Sequence, residues 1–352
     1  MIELVKPEFQ VGSEKRFFDF ISGLNEKDKI ALISHTDLDG IASAKVANEV
    51  LNAGFLKFVN YIELKQGLVE ELKAGKVTKV IITDISVGDY FLEIEKISKF
   101  AEVLIIDHHV FSRDFNSEKV IFLNAQGYCA TYLCYYLFGR VQDITGLDWL
   151  VASACIADYC FRKNIHWLTE IYKKYGDELE MDGTYVRKSG KIWDLQYDLS
   201  LALIYFKDDL KKVYGEIGRE FEDIGDLKKY ADEIDSCLKE SLDKFEKEKE
   251  EINGRIFWEF NPKFKVGSIV STITSSQNPN KTHIIAREDG EFYSFSARRQ
   301  DKKEDMNLLL KKLIVGLENA EGGGHIPAAG GHVLLKDWEE FKKRLRELPK
   351  EE

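Results

Sequence analysis

The sequence predicts an α/β protein in which a parallel sheet flanked by helices is followed by a helical connector and a smaller mixed α/β domain. Between residues 29 and 160, short runs rich in valine and isoleucine alternate with helix-like stretches, a pattern typical of strand–helix–strand units. After Gly254 the pattern changes to closely spaced strand-like segments. We therefore predict domains at 1–195 and 255–352, joined by a connector at 196–254.

The first domain is predicted from apolar runs that each end in polar side chains. Such runs are predicted strands because they are short and bounded by polar residues, and they lie at 30–33, 80–82, 103–106 and 154–157. Helices are predicted at 40–54 and 130–138, a helical and aromatic-rich region at 164–224, and a charged helix with regularly spaced apolar residues at 226–253.

The second domain is predicted from alternating apolar and polar residues. Its strands are expected at 256–260, 269–273, 282–287 and 291–297, and one helix is expected at 306–317. From Arg255 onward there are 17 lysines and arginines against 15 aspartates and glutamates, whereas the whole chain carries a net charge of −11. The C-terminal part is thus the better surface for a polyanion.

Composition also excludes some classes of protein. The N-terminus lacks the long apolar core of a signal peptide, and no apolar run approaches the roughly 20 residues of a membrane span, so we expect a cytoplasmic protein without membrane contact. The five cysteines form no Cys-x-x-Cys pair, which argues against a zinc module or a disulfide framework. We expect them to be small buried apolar residues.

Ionisable side chains gather at the ends of the predicted strands. Buried carboxylates are costly unless they are paired or bind a cation, and the chain offers no obvious cationic partner here. Because ligands collect at the carboxyl ends of parallel strands, these groups are expected to meet at one edge of the sheet. They are His35, Asp37, Asp39, Asp84, Asp107, His108, His109 and Asp158.

Their pattern predicts a site for two divalent cations. Alternation along an extended segment should point His35, Asp37 and Asp39 the same way. Asp84 can bridge both ions because a carboxylate has two oxygens. One ion is assigned to His35, Asp37 and Asp84, and the other to Asp39, Asp84, His108 and Asp158. Mixed nitrogen and oxygen ligands favour Mn²⁺ over Mg²⁺.

The same residues carry a family resemblance. The segments SHTDLDG, TDIS, DHH and CIADY resemble the four motifs of the DHH phosphoesterase superfamily. Near the C-terminus, FSARR and GGGHIPAAGGH resemble the DHHA1 domain that accompanies RecJ-type exonucleases. The resemblance covers residues 29–160 and 255–335, and archaeal RecJ-like single-strand exonucleases are the most similar in size and style.

The resemblance implies where substrate is bound. It suggests that Arg298, Gly323, Gly324 and His325 grip the terminal nucleotide or the scissile phosphate. Because His108 already occupies the ligand position, His109 is expected to contact a phosphate oxygen or to orient the metal ligands. From the residues alone, Pro327 is expected to begin a helix whose exposed N–H groups attract phosphate. A tight turn that packs a helix on a sheet is the alternative.

Together these features predict a Mn²⁺-dependent exonuclease of single-stranded DNA or RNA that works in DNA repair, with Asp39, Asp84, His108, His109 and Asp158 as catalytic residues. One alternative is a phosphodiesterase for short oligonucleotides or cyclic dinucleotides. The alternative from another class is a scaffold that binds a replication-fork or helicase protein through residues 164–250.

Overall fold

The computed structural model describes residues 2–60, 63–64, 66–183 and 185–351. The chain divides into two compact units, Met1–Ala231 and Asp232–Glu352. Among the described residues, no helix is both long and apolar enough to cross a membrane.

The first unit is built on a five-stranded sheet in which every strand pair is parallel. Its strands are β1 (Ile30–Ser34), β2 (Phe55–Phe58), β3 (Lys79–Thr83), β4 (Glu102–Asp107) and β5 (Val120–Asn124), in the spatial order β2-β1-β3-β4-β5. Strands β3 and β5 are buried along their whole length, as expected for a parallel sheet covered on both faces. The predicted parallel-sheet domain is confirmed.

Helices cover both faces of this sheet. They are α1 (Glu14–Ser22), α2 (Leu38–Leu51), α3 (Gln66–Ala74), α4 (Phe91–Ser98), α5 (Ala130–Phe138) and α6 (Asp148–Ala157). Successive strand residues face opposite ways, so Leu32 joins the core beneath α2, α5 and α6, whereas Ile33 joins the core beneath α3 and α4.

One predicted strand is wrong. Residues 154–157 form the last turn of α6 and not a strand. Almost every residue of α6 is buried, so the helix lacks a polar stripe, and a short apolar run of this kind cannot be assigned from periodicity alone. Asp158 is therefore presented by the C-terminus of a helix.

The remainder of the first unit is mainly helical, as predicted for residues 164–224. It contains α7 (Ile165–Lys174), a small hairpin of β6 (Met181–Asp182) and β7 (Tyr185–Val186), then α8 (Lys191–Tyr205) and α9 (Leu210–Glu216). The hairpin was not predicted. The predicted charged helix is present as α10 (Leu227–Glu248), although it ends five residues before the expected boundary at 253.

The second unit contains the part of α10 from Asp232 onward and a six-stranded mixed sheet with three further helices. Its strands are β8 (Glu250–Ile252), β9 (Arg255–Glu259), β10 (His283–Asp289), β11 (Phe292–Arg298), β12 (Glu321–His325) and β13 (Ala328–Leu334). The spatial order is β12-β13-β11-β10-β9-β8, and only the β9–β10 pair among these is parallel. The helices are α11 (Gly267–Gln277), α12 (Met306–Ile314) and α13 (Trp338–Glu347).

Two predictions for this unit are wrong. The segment 269–273, predicted as a strand, lies inside α11. Pro327 does not begin a helix, because it lies in the turn that joins β12 to β13. The glycine-rich motif is thus a pair of antiparallel strands, and the phosphate site predicted at a helix N-terminus is absent there.

Candidate functional site

The strand order of the first sheet creates a crevice at its carboxyl edge. From β1 the chain continues through α2 to β2 on one side, whereas β3 pairs with β1 on the other side. Such a reversal opens a gap between the connections that leave the two strands, and ligands of α/β proteins bind in this gap. His35 and Asp37 follow β1, and Asp84 follows β3.

The turn after β1 holds two candidate ligands together. Asp37 is the N-cap of α2 and accepts a hydrogen bond from the Gly40 amide at 3.0 Å. Its Oδ2 lies 2.9 Å from Nδ1 of His35. Burial raises the pKa of Asp37, but the hydrogen bond and charge of His35 outweigh burial and lower this pKa to about 2. A Cβ at Gly40 would lie 2.3 Å from the His35 carbonyl oxygen, so close approach requires this glycine.

Asp84 lies at the centre of the site. It is 2 % exposed and has a φ of +58°, a left-handed conformation that costs energy for a residue other than glycine and is frequent at functional sites. Its Oδ2 is 3.8 Å from Nδ1 of His35, and its Oδ1 is 3.2 Å from Nε2 of His108. Burial, followed by the charges of the surrounding aspartates, raises its pKa well above the ordinary value.

His108 draws together the remaining candidate ligands. Besides Asp84, its Nε2 lies 3.6 Å from Oδ2 of Asp158 and 3.7 Å from Oδ2 of Asp39. Burial, and then the charge of Asp39, raises the pKa of Asp158 to about 6. The end of strand β4, which is followed by His108, and the C-terminus of α6, which carries Asp158, thus lie close together.

Asp39 lies close to His108, but it is carried by a helix and not by the predicted extended segment. Helix α2 begins at Leu38, so the extended segment ends before Asp39, and the predicted alternation of three side chains is wrong. Asp39 lies in the first helical turn and is buried against the N-terminus of α5. Its carboxylate accepts hydrogen bonds from the Ala130 amide at 2.7 Å, the Thr131 amide at 2.8 Å and the Thr131 hydroxyl at 2.6 Å.

His109 is held by Asp107, whose Oδ1 lies 2.7 Å from its Nδ1. Burial lowers the pKa of His109, but the hydrogen bond and charge of Asp107 outweigh this effect, and the pKa is raised. The His109 and His108 rings lie 4.4 Å apart, centre to centre. An imidazole held by a carboxylate in this way lies beside the site.

Among the described residues, this cluster contains buried polar atoms that lack hydrogen-bond partners, and such atoms suit divalent cations. Oδ2 of Asp84, Nε2 of His108 and Oδ2 of Asp158 are buried and have no hydrogen-bond partner among the described residues. Buried polar atoms are normally satisfied, and several carboxylates at this distance repel one another. A bound cation would satisfy the unpaired polar atoms and would also offset the repulsion between the carboxylates. One ligand atom each from His35, Asp37 and Asp84 lies within 4.8 Å of the others, which suits a shared ion.

Cys160 lies at the site, although the sequence led us to expect a buried apolar residue. Its Sγ lies 3.8 Å from Nδ1 of His108, and the residue is only partly buried. The available signal was its position two residues after Asp158.

In the second unit, the sheet register brings the predicted substrate-binding residues together. Arg298 and His325 both lie opposite Ala328, from its two neighbouring strands. Opposite residues of antiparallel strands share a face, so Arg298 and His325 flank Ala328 about 10 Å apart. The next row on this face includes Gly330 and Gly323, which are exposed and lack side chains.

Arg298 and Gly324 have distinctive environments. Nε of Arg298 is buried and has no hydrogen-bond partner among the described residues, and burial lowers its pKa. Gly324 has a φ of +150°, and a Cβ there would lie 2.5 Å from the Ala328 carbonyl oxygen. This face therefore presents a partly desolvated cation beside a flat strip of backbone.

Comparisons with known proteins concern the family of the first unit and the fold of the chain. Residues 29–157 match the model of the DHH family, N-terminal domain. No curated protein sequence matches the chain. A structure of exonuclease RecJ bound to manganese is 14 % identical and superimposes with a TM-score of 0.73, covering 99 % of this chain and 97 % of that one.

Two further structures share the fold. RecJ from Thermus thermophilus in complex with Mn²⁺ is 14 % identical with a TM-score of 0.66, covering 100 % of this chain and 56 % of that one. CDC45 from Entamoeba histolytica is 10 % identical with a TM-score of 0.64, covering 95 % of this chain and 98 % of that one. The resemblance predicted from the sequence motifs is confirmed: residues 29–157 match the DHH family model, and the chain as a whole has the RecJ-like fold.

Proposed function

We propose that this protein is a two-metal phosphodiesterase that removes nucleotides from an end of single-stranded DNA or RNA. The observation that carries the proposal is the convergence of Asp39, Asp84 and Asp158 on Nε2 of His108, with buried atoms that lack hydrogen-bond partners among the described residues. Such an arrangement is unstable without cations, so it has no simple role in folding.

In the proposed assignment of ligands, Asp84 would contribute to both ions. His35, Asp37 and Asp84 would hold one ion. The other would be held by Asp39, Asp84, His108 and Asp158. Two imidazoles among the carboxylates favour Mn²⁺ over Mg²⁺. When bound, two such ions neutralise phosphoryl charge and lower the pKa of water.

The chain's own residues supply position and charge. The N-terminus of α5 fixes Asp39 through three hydrogen bonds, so this ligand is preorganised. His109, with its pKa raised by Asp107, would donate a hydrogen bond to a phosphoryl oxygen.

Binding of the substrate's phosphate is proposed for the exposed face of the second sheet. Arg298 offers a guanidinium whose buried Nε is unsatisfied among the described residues, and His325 lies across Ala328 from it. Gly323 leaves the backbone accessible to a phosphate, whereas the absence of a side chain at Gly324 allows the close approach of β12 to Ala328. The match in fold to RecJ bound to manganese supports an exonuclease over other phosphodiesterases.

The test is incubation of the Mn²⁺-loaded protein with end-labelled single strands of DNA and RNA, blocked at one end, at the other end, or at both. An exonuclease should release mononucleotides from unblocked ends only, and products from doubly blocked strands would contradict it. The double variant R298A/H325A should retain its two metal ions and bind substrate more weakly by roughly 1–3 kcal/mol. Unchanged kinetics would restrict the C-terminal motif to a structural role.

A phosphodiesterase for short oligonucleotides is the second candidate, and the charge distribution favours it. The part from Arg255 onward has only two more basic than acidic residues, and the chain as a whole carries −11. Long single strands are usually followed by a basic groove with stacking aromatics. A protein without a strong basic excess would hold only the nucleotides closest to its metal ions.

A further inference from the structure

Two exposed tyrosines lie beside the metal centre and have no role in the reaction described above. Tyr159 is 65 % exposed and directly follows Asp158. Tyr185, on strand β7, is 58 % exposed. Their rings meet edge to face, with centroids 5.6 Å apart and planes at 78°. Large aromatic side chains are usually buried, so a solvent-exposed pair next to a candidate ligand suggests a binding role.

The backbone of Tyr159 makes its position more unusual. Helix α6 ends with Asp158 as its C-cap, and the Tyr159 amide donates to the Ile156 carbonyl at 3.1 Å. The Cys160 amide donates to the Cys155 carbonyl, also at 3.1 Å. These two bonds define a Schellman motif, in which the residue after the C-cap is left-handed and is usually glycine.

This chain has tyrosine at that position, with a φ of +56°. Left-handed backbone is unfavourable for a side chain of this kind, and such strain tends to persist at functional sites. Glycine would close the helix at lower cost but would leave no ring beside Asp158. The helix end thus directs an aromatic side chain next to a candidate metal ligand at some expense in stability.

Tyr185 comes from the only hairpin that the described part of the first unit contains. Its two strands have two residues each, and both residues of β6, Met181 and Asp182, are exposed. Such a short hairpin gains little stability from its own hydrogen bonds. The contact that its tyrosine makes is with the ring of Tyr159. An edge-to-face contact covers at most one face of one ring, so the pair retains faces open to a planar ligand.

We propose that Tyr159, braced by Tyr185, stacks on the nucleobase of the nucleotide whose phosphate is hydrolysed. This inference rests on the proposed function, since it assumes that the phosphate lies at the ions. In a nucleotide, one sugar separates the phosphate from the base, and one peptide unit separates Asp158 from Tyr159. Stacking on an aromatic side chain tolerates every base, because each base has a π face. The pair therefore selects nucleotides over phosphodiesters and polyphosphates that lack a base.

The experiment compares substrates with and without a base on matched variants. Wild type, Y159A, Y159F, Y185A and L92A are assayed with Mn²⁺ on thymidine 5′-(p-nitrophenyl phosphate) and on bis(p-nitrophenyl) phosphate. Leu92 serves as control because it is an exposed apolar residue, 62 % accessible, on α4. We expect Y159A to lose roughly 5- to 150-fold in kcat/KM on the thymidine substrate and less than about twofold on the base-free one. Y159F should retain activity, Y185A should lie between, and L92A should match wild type.

A binding measurement separates this proposal from the proposed function. A short strand ending in 2-aminopurine is added to the Ca²⁺-loaded protein, and stacking should quench the fluorescence in wild type and Y159F but not in Y159A. Mn²⁺ affinity, measured by calorimetry, should be equal in all five proteins. If Y159A loses both substrates equally together with Mn²⁺ affinity, Tyr159 acts through Asp158 and the stacking proposal is overturned. Equal quenching by wild type and Y159A would overturn it too. If wild type cleaves nothing yet quenches 2-aminopurine through Tyr159, the proposed function fails and the stacking site stands.

Discussion

The buried anchor of Asp39 allows the metal centre to be tested without touching a candidate ligand. In T131V the side chain keeps its shape but loses the hydroxyl that donates to Asp39, while the amide N–H groups of Ala130 and Thr131 remain. The single hydroxyl hydrogen serves the Asp39 carboxylate at 2.6 Å and the Asp39 carbonyl oxygen at 2.8 Å, so one hydrogen bond to Asp39 is lost. Such a bond contributes about 1.5–3 kcal/mol.

We expect the free energy of unfolding of metal-free T131V to fall by about 1.5–3 kcal/mol. Mn²⁺ affinity should fall roughly 10- to 100-fold, because groups that orient a ligand typically contribute this much. Urea unfolding and titration calorimetry on wild type, T131V and T131S provide the measurement, and T131S should stay close to wild type because serine keeps the hydroxyl. A T131V protein that unfolds and binds Mn²⁺ like wild type would refute the anchoring argument.

Four further predictions follow from the geometry. D84A should lose at least one ion and all turnover, because Asp84 lies beside both His35 and His108; two ions by metal analysis with full activity would contradict the assignment. G40A should weaken Mn²⁺ binding, since its Cβ would lie 2.3 Å from the His35 carbonyl oxygen, whereas G54A, with nothing within 4 Å, should bind Mn²⁺ normally. Burial and two lysines lower the pKa of His283 to about 4, so the unfolded state binds more protons between pH 6.5 and 4. Asp158, whose pKa is raised to about 6, acts in the opposite sense in the same window, so the prediction concerns a difference between two proteins. The unfolding free energy of wild type minus that of H283Q, both measured in urea, should fall by roughly 1–3 kcal/mol as pH drops through this window and stay constant above it. Affinity for single strands in Ca²⁺ should level off after a handful of nucleotides, with a salt slope reflecting about two to four phosphate contacts at roughly 0.7 each; a steep slope and rising affinity in longer strands would reveal a basic groove.

The side chains at the carboxyl edge of the first sheet were predictable because strand composition and the position of ligands in parallel sheets both indicate them. The runs that became β3 and β4 are short and rich in valine and isoleucine, which favours strands. Polar residues directly after parallel strands must meet at the carboxyl edge, so Asp84 and His108 could be brought together without tertiary information.

The contacts that complete the site were not predictable from local sequence. Asp39 is fixed by Thr131, 92 positions away, and no local pattern specifies that contact. Helix α6 is apolar on every side because it is buried on every side, so its sequence carries no helical period.

In the second unit, packing overrides local preference. Helix α11 is rich in isoleucine, valine and threonine, which favour strands, yet it forms a helix against β10 and β11. Pro327 was assigned to a helix start because proline is favoured at that position, but proline is equally suited to the turn of a hairpin. Only the pairing of β12 with β13 decides between the two.

The candidate ligands are widely spaced along the chain, so the metal centre can form only after the first unit has folded. His35 and Asp158 are separated by more than a hundred residues, and the groups between them come from three different strand and helix ends. A chain still being synthesised would possess the first strands long before it possessed Asp158, and a misfolded chain would scatter the ligands. Under the proposed function, hydrolysis would then be confined to molecules whose first unit is finished. Metal ions at a hundred times their dissociation constant would in turn favour the finished state by about 2.7 kcal/mol.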